Sequence, residues 1–471
     1  MTTYEFKIVI DREGVSGEYG LPGSQASAAG RHDLMADPID PLTLATVALM
    51  NRWLCFWDLI EEAEVRRRED LLDSSALKVL GTQLWRLILA DKHGQDNPVG
   101  QELKKRIPKE GQPPLRLSIV FADDADADLK ALPWEFLYEP EGNWFLATKT
   151  ELLLTRYVTM AEKPVTVKQV SNKDKLSAML IAALPEAPDF AIHREALGKL
   201  RTALKDVPDL WVAKAIKSWD AAKVQAELSK KPYHILHIVG ICRGTPDHPQ
   251  IYLGGAGDGY QDPAQFVEIL TANTIRPRLV ILQLCDYKDG DATENFERLA
   301  PDLIRRQVPA VLALQYAVKI DQADRVGLGK QFYERLVSGE HIGAAVQASR
   351  RGLQVEHEDR RFGTPVLYLQ EDGALRRELP IAIKTTTPTT NAPESSKRTD
   401  LIDVVIATKG LTPQQENAML AWIAGLDPDL DDSEIATLIK KKMLTRIDAR
   451  TRAVYARMLR ALDLGRPTEH D

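Results

Sequence analysis

Cys285 and His237 are the two residues whose types and positions would support nucleophilic catalysis. Cys285 directly follows the apolar run Leu279–Leu284, and His237 lies within a second apolar run that ends at Gly240. A cysteine attacks a carbonyl group as its thiolate, so it needs an imidazole within hydrogen-bond reach that removes the thiol proton and later protonates the leaving amine. Taken alone, the two residues do not establish a catalytic site, because a free cysteine is commonly a small buried hydrophobe and a histidine within an apolar run is commonly structural.

Alternating strands and helices would position these residues. Near-continuous apolar runs predict strands at 176–183, 235–239, 279–284 and 310–315. Helical periodicity predicts helices at 192–204, 220–229, 263–270, 295–306, 321–336 and 342–353. This alternation predicts an α/β fold with a mainly parallel sheet and helices on both faces. Ligands bind such sheets at the carboxyl ends of the strands, where Cys285 would lie.

The chain divides by composition into four parts. Residues 1–110 predict a flank with a strand at 4–10, a loop at 14–30 and helices at 41–63 and 74–90. Residues 111–383 carry the α/β pattern, and the Thr/Pro-rich stretch 384–399 predicts a flexible linker. Residues 400–471 predict a small all-helical domain, which begins its first helix at Thr412 and Pro413.

Composition excludes several classes of function. The chain has 471 residues and a formal net charge of -7, which disfavours nucleic acid as a partner. Three cysteines are too few for a disulfide framework, so a reducing cytoplasm is expected. No apolar run approaches the ~20 residues of a membrane span, and the N-terminus lacks the pattern of a signal peptide. The sequence offers no cofactor motif and no convincing set of metal ligands, so neither is expected.

An ordered set of motifs between residues 115 and 370 resembles the CHAT domain family. The pieces are LPWEFLY at 132–138, LTRY at 154–157, the run 233–240, the run 279–285, VPAVLALQ at 308–315, FYERL at 332–336 and PVLY at 365–368. The resemblance implies a caspase-like cysteine peptidase fold in which Cys285 holds the nucleophile position. It also implies that backbone amides near Gly240 form the oxyanion region.

The sequence departs from the family pattern at the residue that matters most for catalysis. Family members read histidine, two residues, glycine, histidine, and the second histidine is catalytic. The corresponding residues here begin with His237 and end with Gly240 and Ile241. Isoleucine neither accepts nor donates a proton, and loss of a positioned acid or base costs roughly 10²- to 10⁴-fold in rate. The resemblance therefore implies an impaired peptidase.

Other histidines near this strand are candidates to replace the missing base. His237 is expected to point into the core and to be structural, while His234 lies an odd number of residues away on the opposite face of the strand. His248 follows in a loop from which it would have to swing back, and a histidine from a partner chain is a further option. Cys242 is expected to be a buried thiol rather than half of a disulfide with Cys285.

Three functions remain open at this level. The first is a pseudo-peptidase that acts as a regulatory or binding component of a prokaryotic conflict or defence system. Its partner would be a protein or peptide, such as an active paralogue or an associated effector, recruited through the helical domain 400–471. The second is an active cysteine endopeptidase that uses Cys285 with a non-standard or partner-supplied base. The third is a structural scaffold.

Overall fold

The computed structural model of the chain describes the sheet and the helices that surround it. The described residues are 4–21, 26–34, 39–56, 74–109, 111–158, 175–230, 233–243, 250–254, 258–272, 276–284, 299–316, 328–357 and 360–370. All of them belong to the first of two compact units, Met1–Lys384. Cys285, His248, the linker 384–399 and the helical domain 400–471 lie outside these residues, so the predictions made for them stay predictions.

Eleven of the described strands form a single sheet. In chain order they are β1 (Glu5–Ile10), β2 (Gly14–Gly20), β3 (Ser27–Asp33), β4 (Leu115–Phe121), β7 (Leu152–Val158), β8 (Leu176–Ala183), β9 (Leu210–Val212), β10 (Ile235–Gly240), β14 (Leu279–Leu284), β15 (Ala310–Leu314) and β16 (Pro365–Gln370). Their order across the sheet is β3-β2-β1-β4-β7-β16-β15-β14-β10-β8-β9. Short strands lie outside it as β5 (Tyr138–Glu139) with β6 (Trp144–Phe145), and as β11 (Cys242–Arg243), β12 (Gln250–Tyr252) and β13 (Tyr260–Gln261).

Most neighbouring strands of the sheet run parallel, which confirms the predicted fold class. The five strands from β9 to β15 are parallel throughout. Antiparallel pairing occurs between β15 and β16 and along the hairpins of β1, β2 and β3. Because the central strands are buried on both faces, their sequences are apolar at successive positions rather than at alternate ones.

Helices cover both faces of the parallel part of the sheet. The helices of the described residues are α1 (Pro41–Phe56), α2 (Ser74–Ile88), α3 (Pro98–Arg106), α4 (Ala127–Lys130), α5 (Ala191–Lys205), α6 (Ala221–Lys230), α7 (Pro263–Thr271), α8 (Leu299–Arg305), α9 (Lys330–Val337) and α10 (Ile342–His357). Helices α5, α9 and the start of α10 share a core with Ile235 and Val239 of β10. Helices α6, α7 and α8 share the opposite core with Leu236 and Ile238. No helix of the described residues is long and apolar enough to cross a bilayer.

The predicted loop at 14–30 is wrong, because β2 and most of β3 lie there. Its glycines were interpreted as turn residues. In the structure, a Cβ added to Gly17 would lie 2.6 Å from the carbonyl oxygen of Ala29. Glycine therefore permits the close approach of two strands at this point. The helix predicted at 321–336 is also shorter in the described residues, because α9 begins at Lys330 after an extended Gly329.

A buried charge cluster joins the short turn Trp134–Phe136 to the sheet. Glu135 accepts hydrogen bonds from Arg156 of β7 and from Gln315, which directly follows β15. Arg350 of α10 lies 3.9 Å from the same carboxylate and donates to the carbonyl oxygens of Leu154 and Pro365. The cluster thus fixes elements from both halves of the sheet with one carboxylate and two guanidinium groups.

Candidate active site at the ends of β10 and β14

The strand that precedes Ile241 and the strand that precedes Cys285 end side by side. Gly240 of β10 is in register with Leu284 of β14 and, on its other side, with Ala183 of β8. The fold therefore brings the last residues of three parallel strands to one edge of the sheet, where a ligand crevice is expected. Cys285 itself lies outside the described residues.

Ile241 is withdrawn from the solvent at this edge. Its exposed fraction is 0%, and it belongs to the apolar core that contains Val239 and residues of α5 and α9. Its carbonyl oxygen accepts a hydrogen bond from the amide of Tyr252 at 3.1 Å. The chain then continues into the three-stranded sheet β11-β12-β13. The residue that directly follows Gly240 is thus a packed aliphatic side chain.

His237 lies deeper in the same core, with both ring nitrogens engaged. Its Nδ1 is 2.8 Å from the hydroxyl of Tyr333 in α9, and its Nε2 is 3.0 Å from Oε1 of Gln283 in β14. Burial lowers the pKa of His237 to about 4, although the hydrogen bond with Gln283 favours the charged form. The imidazole is therefore neutral near pH 7 and ties two strands to one helix.

The neighbouring histidine, His234, makes a separate set of contacts. Its Nδ1 lies 2.9 Å from both the amide nitrogen and the hydroxyl of Ser177 in β8. Within the described part of the chain, no group of three or more His, Cys, Asp or Glu side chains is placed to hold a metal ion. His234 thus contacts β8, whereas His237 contacts β14 and α9.

Cys242 is a buried thiol next to Ile241. It forms no disulfide, its exposed fraction is 1%, and it packs in the core on the α6, α7 and α8 face. Burial raises its pKa, so it stays protonated and is a poor nucleophile.

Sequence reasoning did not single out Gln283 or Tyr333. Gln283 is the one polar residue of β14, and such a residue in an otherwise apolar strand signals a buried polar contact. Its Nε2 is buried and makes no hydrogen bond within the described residues. Tyr333 carried no comparable signal, because its position in α9 fits an ordinary core residue.

Arg243 provides a fixed charge on the chain segment that leaves β10. Its guanidinium group lies 3.9 Å from the centre of the Tyr260 ring, donates to Gln250 at 2.8 Å and pairs with Asp258. This arrangement holds β11 and β13 together beside Ile241.

The family of the chain follows from a match that covers most of its length. A family model described as the CHAT domain matches residues 79–422. The chain therefore belongs to the CHAT domain family, as its motifs predicted.

Similar folds occur among solved structures. The chain is similar to the Saccharomyces cerevisiae separase-securin complex, with a TM-score of 0.40 and 11% identity over 79% of this chain and 30% of that chain. The chain thus spans about 30% of the length of the separase chain that it matches. It is also similar to the Arg-specific cysteine proteinase gingipain R (RgpB), with a TM-score of 0.35 and 12% identity over 64% of this chain and 76% of that chain. No curated protein matches the sequence.

Proposed function

We propose that this CHAT-domain protein is a catalytically impaired cysteine peptidase that acts as a binding or regulatory component. The observation that carries the proposal is the complete burial of Ile241 at the end of β10. Under the family pattern this residue replaces the catalytic histidine. A packed aliphatic side chain neither removes a proton from Cys285 nor protonates a leaving amine.

His237 is a poor replacement for the missing base. Both of its ring nitrogens already have partners, Tyr333 and Gln283, and its side chain is fully buried. A base that serves Cys285 would have to break one of these buried hydrogen bonds, which costs about 1–3 kcal/mol. We therefore assign His237 a structural role.

Without a base, Cys285 would behave as an ordinary thiol. Such a thiol has a pKa of ~8.5 and is only a few per cent ionised near neutral pH. The retained crevice would then bind a protein or peptide segment without cleaving it. The biological setting proposed is a prokaryotic conflict or defence system in the cytoplasm, with the domain at 400–471 recruiting an active paralogue or an effector. This setting is supported by the family resemblance and by the cysteine count.

Cleavage by the purified full-length chain tests the impairment. The wild type and Cys285→Ala are incubated with a peptide mixture made from digested cell protein, and new termini are counted by mass spectrometry. We expect the two proteins to give the same background. Cleavage that the wild type performs and Cys285→Ala lacks would establish an active endopeptidase with another base and would overturn the proposal.

A further inference from the structure

Three arginines lie at the end of the sheet opposite to Gly240 and Leu284. Arg276 and Arg278 directly precede β14, and Arg306 directly follows α8. The starts of β14 and β15 are in register at Leu279 and Ala310, so the segments that carry these arginines enter adjacent strands. This cationic group is independent of the proposed function.

Contacts hold two of the arginines together. The Nε of Arg276 donates to the main-chain carbonyl oxygen of Arg306 at 3.2 Å. The pKa of Arg276 is lowered, mainly by burial and in addition by the positive charge of Arg306. Two like charges are therefore kept close by a backbone contact, at an electrostatic cost.

Arg278 adds a third, more deeply buried charge. Its exposed fraction is 8%, and its Nη1, like the Nη1 of Arg276, is buried without a hydrogen-bond partner among the residues that the structure describes. Burial lowers the pKa of Arg278 as well. Buried guanidinium groups are normally paired, because an unpaired buried charge is costly.

Within the described part of the chain, no carboxylate pairs with these three arginines. Among the described residues, Arg276, Arg278 and Arg306 form no ion pair with an acidic side chain, whereas the adjacent Arg305 bonds to Asp302 at 2.9 Å. The sequence as a whole has a net charge of -7, so this local excess of positive charge runs against the overall balance.

We propose that Arg276 and Arg306 bind an oxyanion of the phosphate class, with Arg278 adding to the positive charge at the same end of the sheet. Guanidinium groups present paired N–H donors that match the oxygens of phosphate or sulfate. A dianion would offset the charges of Arg276 and Arg306 and remove the repulsion between them. The rival explanation is that the arginines only complement the negative carboxyl ends of α7 and α8.

Thermal unfolding of the full-length chain tests the site. Inorganic phosphate or sulfate replaces chloride at constant ionic strength, and the Tm is recorded. We expect both dianions to raise the Tm saturably by roughly 2–4 °C. Arg276→Gln and Arg306→Gln should each weaken the apparent affinity at least about tenfold. Arg305→Gln, the matched control, should keep the wild-type response.

The behaviour without added dianion separates the two explanations. If Arg276 and Arg306 repel each other, Arg306→Gln should unfold at a higher temperature than the wild type in chloride alone. A lower Tm for this variant in chloride would mean that Arg306 serves only the helix end, and it would overturn the proposal. So would equal effects of phosphate and chloride, or saturation only above about 100 mM, which would indicate an adventitious ion only.

Discussion

His237 lies within β10 and Ile241 directly follows this strand, and the environments of the two residues decide what each can do. Both are fully buried. Ile241 packs within an apolar core, whereas His237 needs Tyr333 and Gln283 as hydrogen-bond partners for its ring nitrogens. An imidazole in place of Ile241 would have to find such partners or give up its hydrogen bonds to water. The environment of Ile241 therefore suits an aliphatic side chain.

Ile241→His should therefore destabilise the protein rather than restore activity. Burying an imidazole without hydrogen-bond partners should cost about 1–3 kcal/mol in the free energy of unfolding. Ile241→Val, which only removes a methylene group, should cost about 0.5–1.5 kcal/mol and serves as the control. Urea denaturation monitored by circular dichroism measures both losses. A histidine variant at least as stable as the valine variant would show that the position is open to polar groups.

Two histidines with lowered pKa values, the fully buried His237 and the half-buried His341, should make the fold sensitive to acid. Burial lowers the pKa of His237 to about 4, and burial together with Arg116 lowers that of His341 well below its usual value. Below pH ~6.5 these histidines are protonated in the unfolded chain but stay neutral in the folded protein. The free energy of unfolding is therefore highest above pH ~6.5 and falls as the pH drops from ~6.5 to ~4. His237 alone should contribute about 3 kcal/mol to this loss.

Urea midpoints measured from pH 7.5 to 4.5 check this prediction. His237→Asn should unfold more easily at pH 7.5 but lose stability less steeply with acid than the wild type, because one proton fewer is taken up. If stability falls with acid as steeply in His237→Asn as in the wild type, His237 takes up its proton equally in the folded and the unfolded protein.

At the scale of elements, Glu135 holds the turn Trp134–Phe136 against the sheet. Glu135→Gln would leave Arg156 and Arg350 buried without a carboxylate, and removing one member of a buried charge cluster costs about 3–5 kcal/mol. The matched control is Glu102→Gln, which breaks a pair with Lys105 at the surface and should leave the free energy of unfolding nearly unchanged. Similar urea midpoints for the two variants would refute a stabilising role for the cluster.

Some strands of the sheet could be predicted from their own sequence, and others could not. Strands β8 and β14 were predicted at their observed bounds, because a run buried on both faces is apolar at nearly every position. The strands β2 and β3 were missed because their glycines serve an approach between chain segments, which a single segment does not reveal. For the same reason the pairing of His237 with Tyr333, 96 residues later, was beyond sequence reasoning.

At the scale of the whole molecule, the two ends of the parallel strands differ in character. The carboxyl end carries the candidate peptidase crevice, with Ile241 packed beside the strand that leads to Cys285. The amino end carries Arg276 and Arg306, which form no ion pair with the acidic residues that the structure describes. The proposed crevice and the proposed oxyanion site would thus lie at opposite ends of the same parallel strands.

The most direct test of the impaired peptidase is the ionisation of the Cys285 thiol. The rate of alkylation by iodoacetamide is measured against pH in the Cys55→Ala protein, since Cys242 is buried and should not react. Adding Cys285→Ala to this protein supplies the blank. We predict a single titration with a midpoint near 8.5, the value of a thiol without a base. A midpoint between about 3.5 and 7.5 would reveal an activating group beside Cys285 and would contradict the account.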